Sequence, residues 1–384
     1  MVTIKKSLHL LTAVLFALMP LASNAETPVA PTQDTLQVAA AEGAHEAHAE
    51  GHAEETDKQF VNRFIKHHLM DDHYYSFFAD KEAHRHYGFG LPVVLIDNGL
   101  KVFMSTEDFV YNEKVVENGG QFYKYHHGKI YKTDAEGDLK LDEHHHPTVE
   151  KPMDFSITKN VVGLLLATVL LFVGFTALAR TYKSSPNNLP KGFGRVLEPL
   201  VIYVRDEMAR PNIGDKKYKQ FMPYLLSVFF LIFLLNLLGL TPLGLNVTGN
   251  ISITVCLAMF TFLYTNIKAN GDYWKHIFWM PGVPVPMKIV LAPIEVLGMF
   301  TKPFSLLIRL FANITAGHSV VMGLIAVAFL MKETLSTPGA IGVSFLLTTF
   351  LTVLEILVAF LQAFIFTMLS SLFIGAAVQE HDHH

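Results

Sequence analysis

Apolar and polar positions divide this chain into two unlike parts. Residues 26–155 are rich in His, Asp, Glu and Lys, whereas long apolar runs dominate from Val161 onward. Five of these runs approach or exceed the about 20 residues that cross a bilayer as a helix. They are Val161–Ala179, which ends at Arg180, then Phe221–Leu240, Ile251–Ile267, Ile289–Met331 and Ile341–Val378. The fourth is interrupted by Pro293, Glu295, Lys302, Pro303, Arg309 and His318, and the fifth contains Glu355 and Gln362. These last two are too long for upright spans, so the pattern predicts two strongly tilted helices. Between the first two runs, GRVLEPLVIYVRDEMAR reads as an amphipathic helix lying on the membrane surface. Ahead of the runs, LPVVLIDNGLKVFM predicts two strands joined at Asp97-Asn98-Gly99, and QFYKYHHGKIYKT predicts a hairpin turning near Gly128. The expected fold class is an all-α polytopic membrane protein. It has about five membrane helices, the last two forming a long tilted hairpin, plus a surface helix and a small N-terminal β-containing region.

The N-terminus refines this division. Lys5 and Lys6, an apolar stretch from Leu8 to Leu21 and the small residues Ser23-Asn24-Ala25 read as a signal peptide over residues 1–25. Residues 26–56 lack apolar periodicity and read as a disordered His/Glu/Ala-rich tether. Residues 57–155 read as a small folded domain and 156–384 as the membrane domain. Nine Lys or Arg residues lie between Arg180 and Lys219, and none lies in 242–250. The positive-inside rule therefore places 180–220 in the cytoplasm. The N-terminal domain is then periplasmic and the C-terminus cytoplasmic, in a bacterial inner membrane.

Composition narrows the chemistry. The 384 residues are 51% hydrophobic and 17% charged, with a net charge of -4, which gives no basis for nucleic-acid binding. The single Cys256 lies within an apolar run, so there is neither a disulfide framework nor a cysteine metal site. Thirteen of the 19 histidines lie between His45 and His146, at spacings that match no specific metal motif. No phosphate-binding Gly-Lys-Ser/Thr loop is present. No cofactor is expected.

Arg309 is the sharpest polar feature. An arginine at mid-bilayer costs about 2.5–3.5 kcal/mol on the insertion scale and stays protonated. Lys302 and Lys332 are about 10 and 34 Å away along a helix, so snorkelling to the headgroups does not explain it well. Ala312, Ala316 and Gly317 make one side of this helix small, which suits close approach by another helix. Asn313 adds a polar group one turn on. In the last run, Thr348, Thr352, Glu355, Ala359, Gln362, Phe366 and Ser370 recur at spacings of three and four and share a face. Glu355 and His318 could exchange protons if their pKa values lie near neutrality. A static salt bridge between Glu355 and Arg309 is the alternative. Glu295 and His276 fall near the cytoplasmic side and could line an entrance there.

Three motifs in order resemble the a subunits of F-type ATP synthases. SLLIRLFANITAGH looks like that family's signature, FLLNLLGLTPLG its earlier outward span, and LQAFIFTMLSSLFIGAA its C-terminal helix. The resemblance covers roughly residues 155–380 and leaves the N-terminal extension unexplained. It implies a non-catalytic proton-translocating subunit with two aqueous half-channels. The expected partners are a c-ring turning past Arg309, the b subunits of the peripheral stalk, the lipid bilayer and the translocated protons. It also implies that Arg309 is the essential arginine, that Asn313 and Gln362 are polar positions beside it, and that His318 and Glu355 form a channel pair. In some relatives the pair appears as Glu then His, and here the order is His then Glu. Two other readings are a self-contained secondary transporter or channel, for which no internal repeat of the Arg309 segment is visible, and a metal-binding periplasmic protein on a membrane anchor.

Overall fold

The computed structural model describes residues 71, 73–80, 85–104, 109–110, 114–126, 128–138, 149, 151–184, 194–241, 245, 247–280, 283–330 and 337–379. The expected signal peptide, the tether and the C-terminal His-rich tail lie outside the described residues.

The apolar runs become five long helices, each long and apolar enough to cross a membrane. These are α1 (Lys159–Ser184), α4 (Tyr218–Gly239), α5 (Ile251–Lys268), α7 (Val285–Leu330) and α8 (Thr337–Val378). Helices α7 and α8 run for 46 and 42 residues. At 1.5 Å per residue each is about twice as long as the hydrocarbon layer is thick. Pro293 and Pro303 lie within α7. Helix α4 is the centre of the bundle. Leu225, Val228, Phe229 and Ile232 are fully buried on it. Several polar groups inside the bundle pair with one another, which lowers the cost of burying them. Tyr224 donates to Thr261 Oγ1 at 2.7 Å, and Thr248 Oγ1 donates to Asn236 Oδ1 at 3.0 Å.

The expected surface helix is built differently from the expectation. It comprises α2 (Gly194–Tyr203), a π-helical turn (Val204–Ala209) and α3 (Arg210–Ile213). Val204, Met208 and Ala209 are fully buried, packed into the core cluster of the membrane helices rather than facing outward. The contact with α8 is very close. A Cβ on Gly375 would lie 2.1 Å from the Asn212 carbonyl oxygen. Asn212 Nδ2 also donates to Ser371 Oγ at 2.7 Å. Helix α8 ends against two further donors, since Lys217 Nζ and Asn270 Nδ2 each reach the Val378 carbonyl at 2.9 Å. The short α6 (Gly271–Phe278) follows Asn270.

Among the described residues, the region before α1 contains eight strands. Both expected hairpins are present: β3 (Val93–Ile96) with β4 (Leu100–Phe103), and β6 (Gln121–His126) with β7 (Lys129–Thr133). Their turns use positive φ at Asn98, Gly99 and Gly128. Strands β1 (Tyr74–Asp80), β2 (Arg85–Gly90), β5 (Val116–Asn118) and β8 (Met153–Asp154) complete three small antiparallel sheets. A second apolar core forms around Val93, Leu95, Phe103, Phe109 and Tyr123. Leu91 and Tyr75, by contrast, pack into the same cluster as Leu164 of α1. Asp71 Oδ1 accepts from the Asn160 amide at 3.2 Å, and Thr158 Oγ1 donates to Asp71 Oδ2 at 3.1 Å, so a distant carboxylate caps the start of α1.

Candidate functional site

The site is built on α7 and α8, which pack against each other. Two contacts fix their antiparallel register. A Cβ on Gly317 of α7 would lie 3.1 Å from Glu355 Oε1 on α8. Lower on the pair, Lys302 Nζ sits 5.4 Å from the centre of the Phe373 ring. Interpolating between these contacts at one helical rise per residue sets Arg309 level with roughly residue 365 of α8, less than one turn from Gln362.

Arg309 points out of the subunit. Its neighbours Leu306 and Leu310 are buried at 2% and 0%, whereas Phe304, Ile308, Arg309 and Ala312 are exposed. Among the described residues none pairs with its guanidinium. A salt bridge with Glu355 is therefore not formed. Around Arg309 the outward face of α7 carries the exposed hydroxyl residues Ser305 and Thr301, one and two turns before it, and the exposed apolar side chains of Ile294, Leu297, Phe300, Phe304 and Ile308.

The polar series on α8 lies on one inward face, as its spacing predicts. Thr348, Thr352 and Glu355 are half-buried, and Ala359, Gln362, Phe366 and Ser370 are buried. Gln362 is 2% exposed and engaged by its neighbours. Glu355 is two turns before it, about 10 Å along the axis. The carboxyl faces Gly317, so this glycine serves α8 rather than widening the outward face beside Arg309. Eight residues separate the two positions, which turns Gly317 about 80° around the helix from Arg309. Sequence spacing alone did not assign Gly317 this place. Asn313 and His318 lie on α7, but their side chains are outside the described residues. The backbone of His318 directly follows Gly317 and is therefore level with Glu355.

A second polar locus lies toward the other end of α7. A small cleft is lined by Thr261, Thr265, Asn266, Tyr273, Lys302 and Phe373, among others. Glu295 is close enough to act on this cleft. Burial first, and the Glu295 charge second, push the Tyr273 phenol above its ordinary pKa. His276 lies on the same short helix as Tyr273.

Comparison with known proteins extends this geometry. A family model described as "ATP synthase A chain" matches residues 161–375. A separate one, "Domain of unknown function (DUF8433)", matches residues 64–155. ATP synthase subunit a 2 of Chlorobaculum tepidum is 47% identical over 237 residues, covering 60% of this chain and 66% of that protein. ATP synthase subunit a of Chlorobium phaeobacteroides strain DSM 266 is 42% identical over 275 residues, 70% of this chain and 78% of that protein. ATP synthase subunit a of Chloroherpeton thalassium is 44% identical over 246 residues, 62% of this chain and 72% of that protein. With helices α1 to α8 falling almost wholly inside the matched region, the chain belongs to the ATP synthase A chain family.

Proposed function

We propose that this chain is the stationary half of a proton path in an F-type ATP synthase, and that it does no bond-making chemistry itself. Protons pass through two aqueous half-channels to and from carboxyl groups on a rotating c-ring. The observation that carries this reading is the outward placement of Arg309 on α7, flanked by exposed apolar side chains and unpaired among the described residues. A fixed cation in that position stabilises an ionised carboxylate arriving from a neighbouring rotor. A protonated carboxyl can face lipid, but an ionised one can do so only at high free-energy cost. Each ring carboxylate therefore has to be neutralised before it leaves Arg309, and this links rotation to proton entry. The fixed positive charge also opposes a direct leak of cations between the two half-channels. About 2.3 kcal/mol per charge is available for each 100 mV of membrane potential.

Gln362 and Asn313 are the polar positions beside Arg309. Glu355 and His318 form the pair that leads protons from one side of the membrane. The level match between Glu355 and the Gly317–His318 backbone supports this reading. Glu295, with Tyr273, Asn266 and Lys302 in the adjoining cleft, forms the approach from the cytoplasmic side. In this reading α7 and α8 lie as a tilted hairpin around the ring, and the b subunits of the peripheral stalk hold the subunit still. The strand region (64–155) is periplasmic, and the C-terminus is cytoplasmic.

The decisive experiment is Arg309→Ala in the assembled complex. ATP hydrolysis by the soluble sector persists, while ATP-driven acidification of inverted vesicles disappears. Acidification at the parental rate would overturn the assignment.

A further inference from the structure

The sheet β4-β3-β8 has two apolar faces, where a small antiparallel sheet at a protein surface ordinarily has one. Val93, Leu95 and Phe103 point into the strand-region core. Ile96, Leu100, Val102, Met104, Met153 and Phe155 form the opposite side, and all are exposed, with Leu100 at 70% and Met104 at 82%. Pairing makes this one continuous surface, since Ile96 stands opposite both Leu100 and Met153, and Val94 opposite Val102. The neighbouring sheet β5-β6-β7 places Lys124 on its outer side instead. An uncovered apolar face of this kind marks a contact surface.

The chain path says what lies against it. Strand β3 begins two residues after Leu91, which belongs to the same buried cluster as Leu164 and the other membrane-helix core residues. Strand β8 ends five residues before Lys159, the first residue of α1. The amides of Phe155 and Ile157 also bond to the carbonyls of Val94 and Pro92, at 2.8 and 3.2 Å, which ties the sheet to this connector. The hydrocarbon layer takes about 20 helical residues. Counted back from Arg180, it begins near residue 160. Met104 and Phe155 therefore stand at the bilayer end of the sheet, and Leu100 stands one short strand, about 10 Å, further along. Below them, Leu165, Val169 and Val173 of α1 are exposed on the membrane span.

We propose that this sheet face lies against the lipid leaflet on its side of the membrane, as a shallow interfacial anchor that continues the lipid-facing surface of α1. Apolar and aromatic side chains without charge suit the headgroup–acyl boundary. The inference rests on α1 being a membrane span and not on the role of Arg309.

Site-directed spin labelling tests it. Cys256 is the only cysteine and is buried, so Cys256→Ser provides a background. Labels are placed through Met104→Cys, Leu100→Cys, Val169→Cys as the lipid reference and Glu136→Cys as the exposed water reference, in the intact complex in phosphatidylcholine vesicles. The Met104 position is expected to show an oxygen-to-nickel-chelate accessibility ratio several-fold above that at Glu136, and Leu100, about 10 Å further from the hydrocarbon layer, a value between those at Met104 and Glu136. A ratio equal to that at Glu136 would place the face in water. Protection from both reagents would mean that protein covers it. Either result overturns the proposal, and neither depends on whether protons are pumped.

Discussion

Glu355 on α8 rests its carboxyl against Gly317 of α7, with Oε1 3.1 Å from the point that a Cβ on the glycine would occupy. This is tighter than an ordinary van der Waals contact, so a methyl group at Gly317 would push the carboxyl group aside by a few tenths of an ångström. Gly317→Ala should lower proton-driven ATP synthesis several-fold while leaving the amount of assembled complex unchanged. Adding Glu355→Asp, which shortens the side chain by one methylene, should relieve the contact and recover part of the loss. ATP synthesis in inverted vesicles, compared across the two single variants and the double, measures this coupling. Additive losses would show that the two residues do not act on each other.

A closer approach in the membrane domain is of another kind. At Gly375 the added Cβ would meet backbone, the Asn212 carbonyl oxygen at 2.1 Å, which no side-chain rotation can relieve. Gly375→Ala should force α8 away from the α2–α3 segment, break the Asn212–Ser371 hydrogen bond and destabilise the domain by about 1–3 kcal/mol or more. Gly298→Ala is the matched control, because nothing lies within 4 Å of its added Cβ. As a glycine in the interior of a helix, it should gain about 0.5–1 kcal/mol on this change. Thermal unfolding of the two variants in detergent should therefore move in opposite directions.

These two glycines also mark where the sequence stops being legible. Residues 161–179, 221–240 and 251–267 could be read as helices because length and apolar character alone decide that question in a bilayer. The β3–β4 hairpin was readable because Asn98 and Gly99 accept positive φ between two apolar segments. The face carrying Glu355, Gln362 and Ser370 was readable because spacing fixes direction on a helix. What faces that side is not a property of spacing. The Gly317–Glu355 contact depends on the register between two helices, and the Gly375–Asn212 contact joins segments more than 160 residues apart. Strand β8 is two residues long and pairs with β3 across more than 50 residues, so no local pattern announces it. The 194–210 segment is amphipathic, but amphipathicity does not distinguish a lipid surface from a protein groove. Val204 and Met208 are buried among the membrane helices, whereas Val196 and Ile202 of the same segment stay exposed, and that division of faces is set by tertiary packing.

In the strand region, Asp97 joins two sheets. Lys132 Nζ lies 2.9 Å from Oδ1, and Tyr123 donates its hydroxyl to Oδ2 at 2.8 Å. The Lys132 hydrogen bond is the main cause holding the Asp97 carboxyl below the usual carboxylate range; burial opposes it, and the Tyr123 hydroxyl adds a smaller lowering contribution. A depressed acid contributes stability that is present above its unfolded pKa and lost as pH falls through the folded one. Amide protection in β3 and β4 should therefore weaken in acid. Asp97→Asn should remove that acid sensitivity and start from lower protection at neutral pH, as hydrogen exchange on the intact protein would report.

Asp71 should respond to pH in the opposite direction. Desolvation raises its pKa despite opposing contributions from the Asn160 amide, His73 and Thr158. An acid with a raised folded pKa favours the folded state most when protonated, and that benefit is lost as pH climbs from the ordinary carboxylate value through the raised one. The carboxylate nevertheless caps α1 through the Asn160 amide. Asp71→Asn keeps an oxygen acceptor for that amide without placing a charge there, so it should match or exceed the parent in stability at pH 8 and lose the pH-dependent decline. Asp71→Ala discards the cap as well and should cost about 1 kcal/mol. Thermal unfolding of the three proteins between pH 5 and 8 separates the two contributions. If the Asn and Ala variants behaved alike, the capping role would be wrong. If the Asn variant kept the parent's pH dependence, another group, with His73 the first candidate, would be the one titrating at this junction.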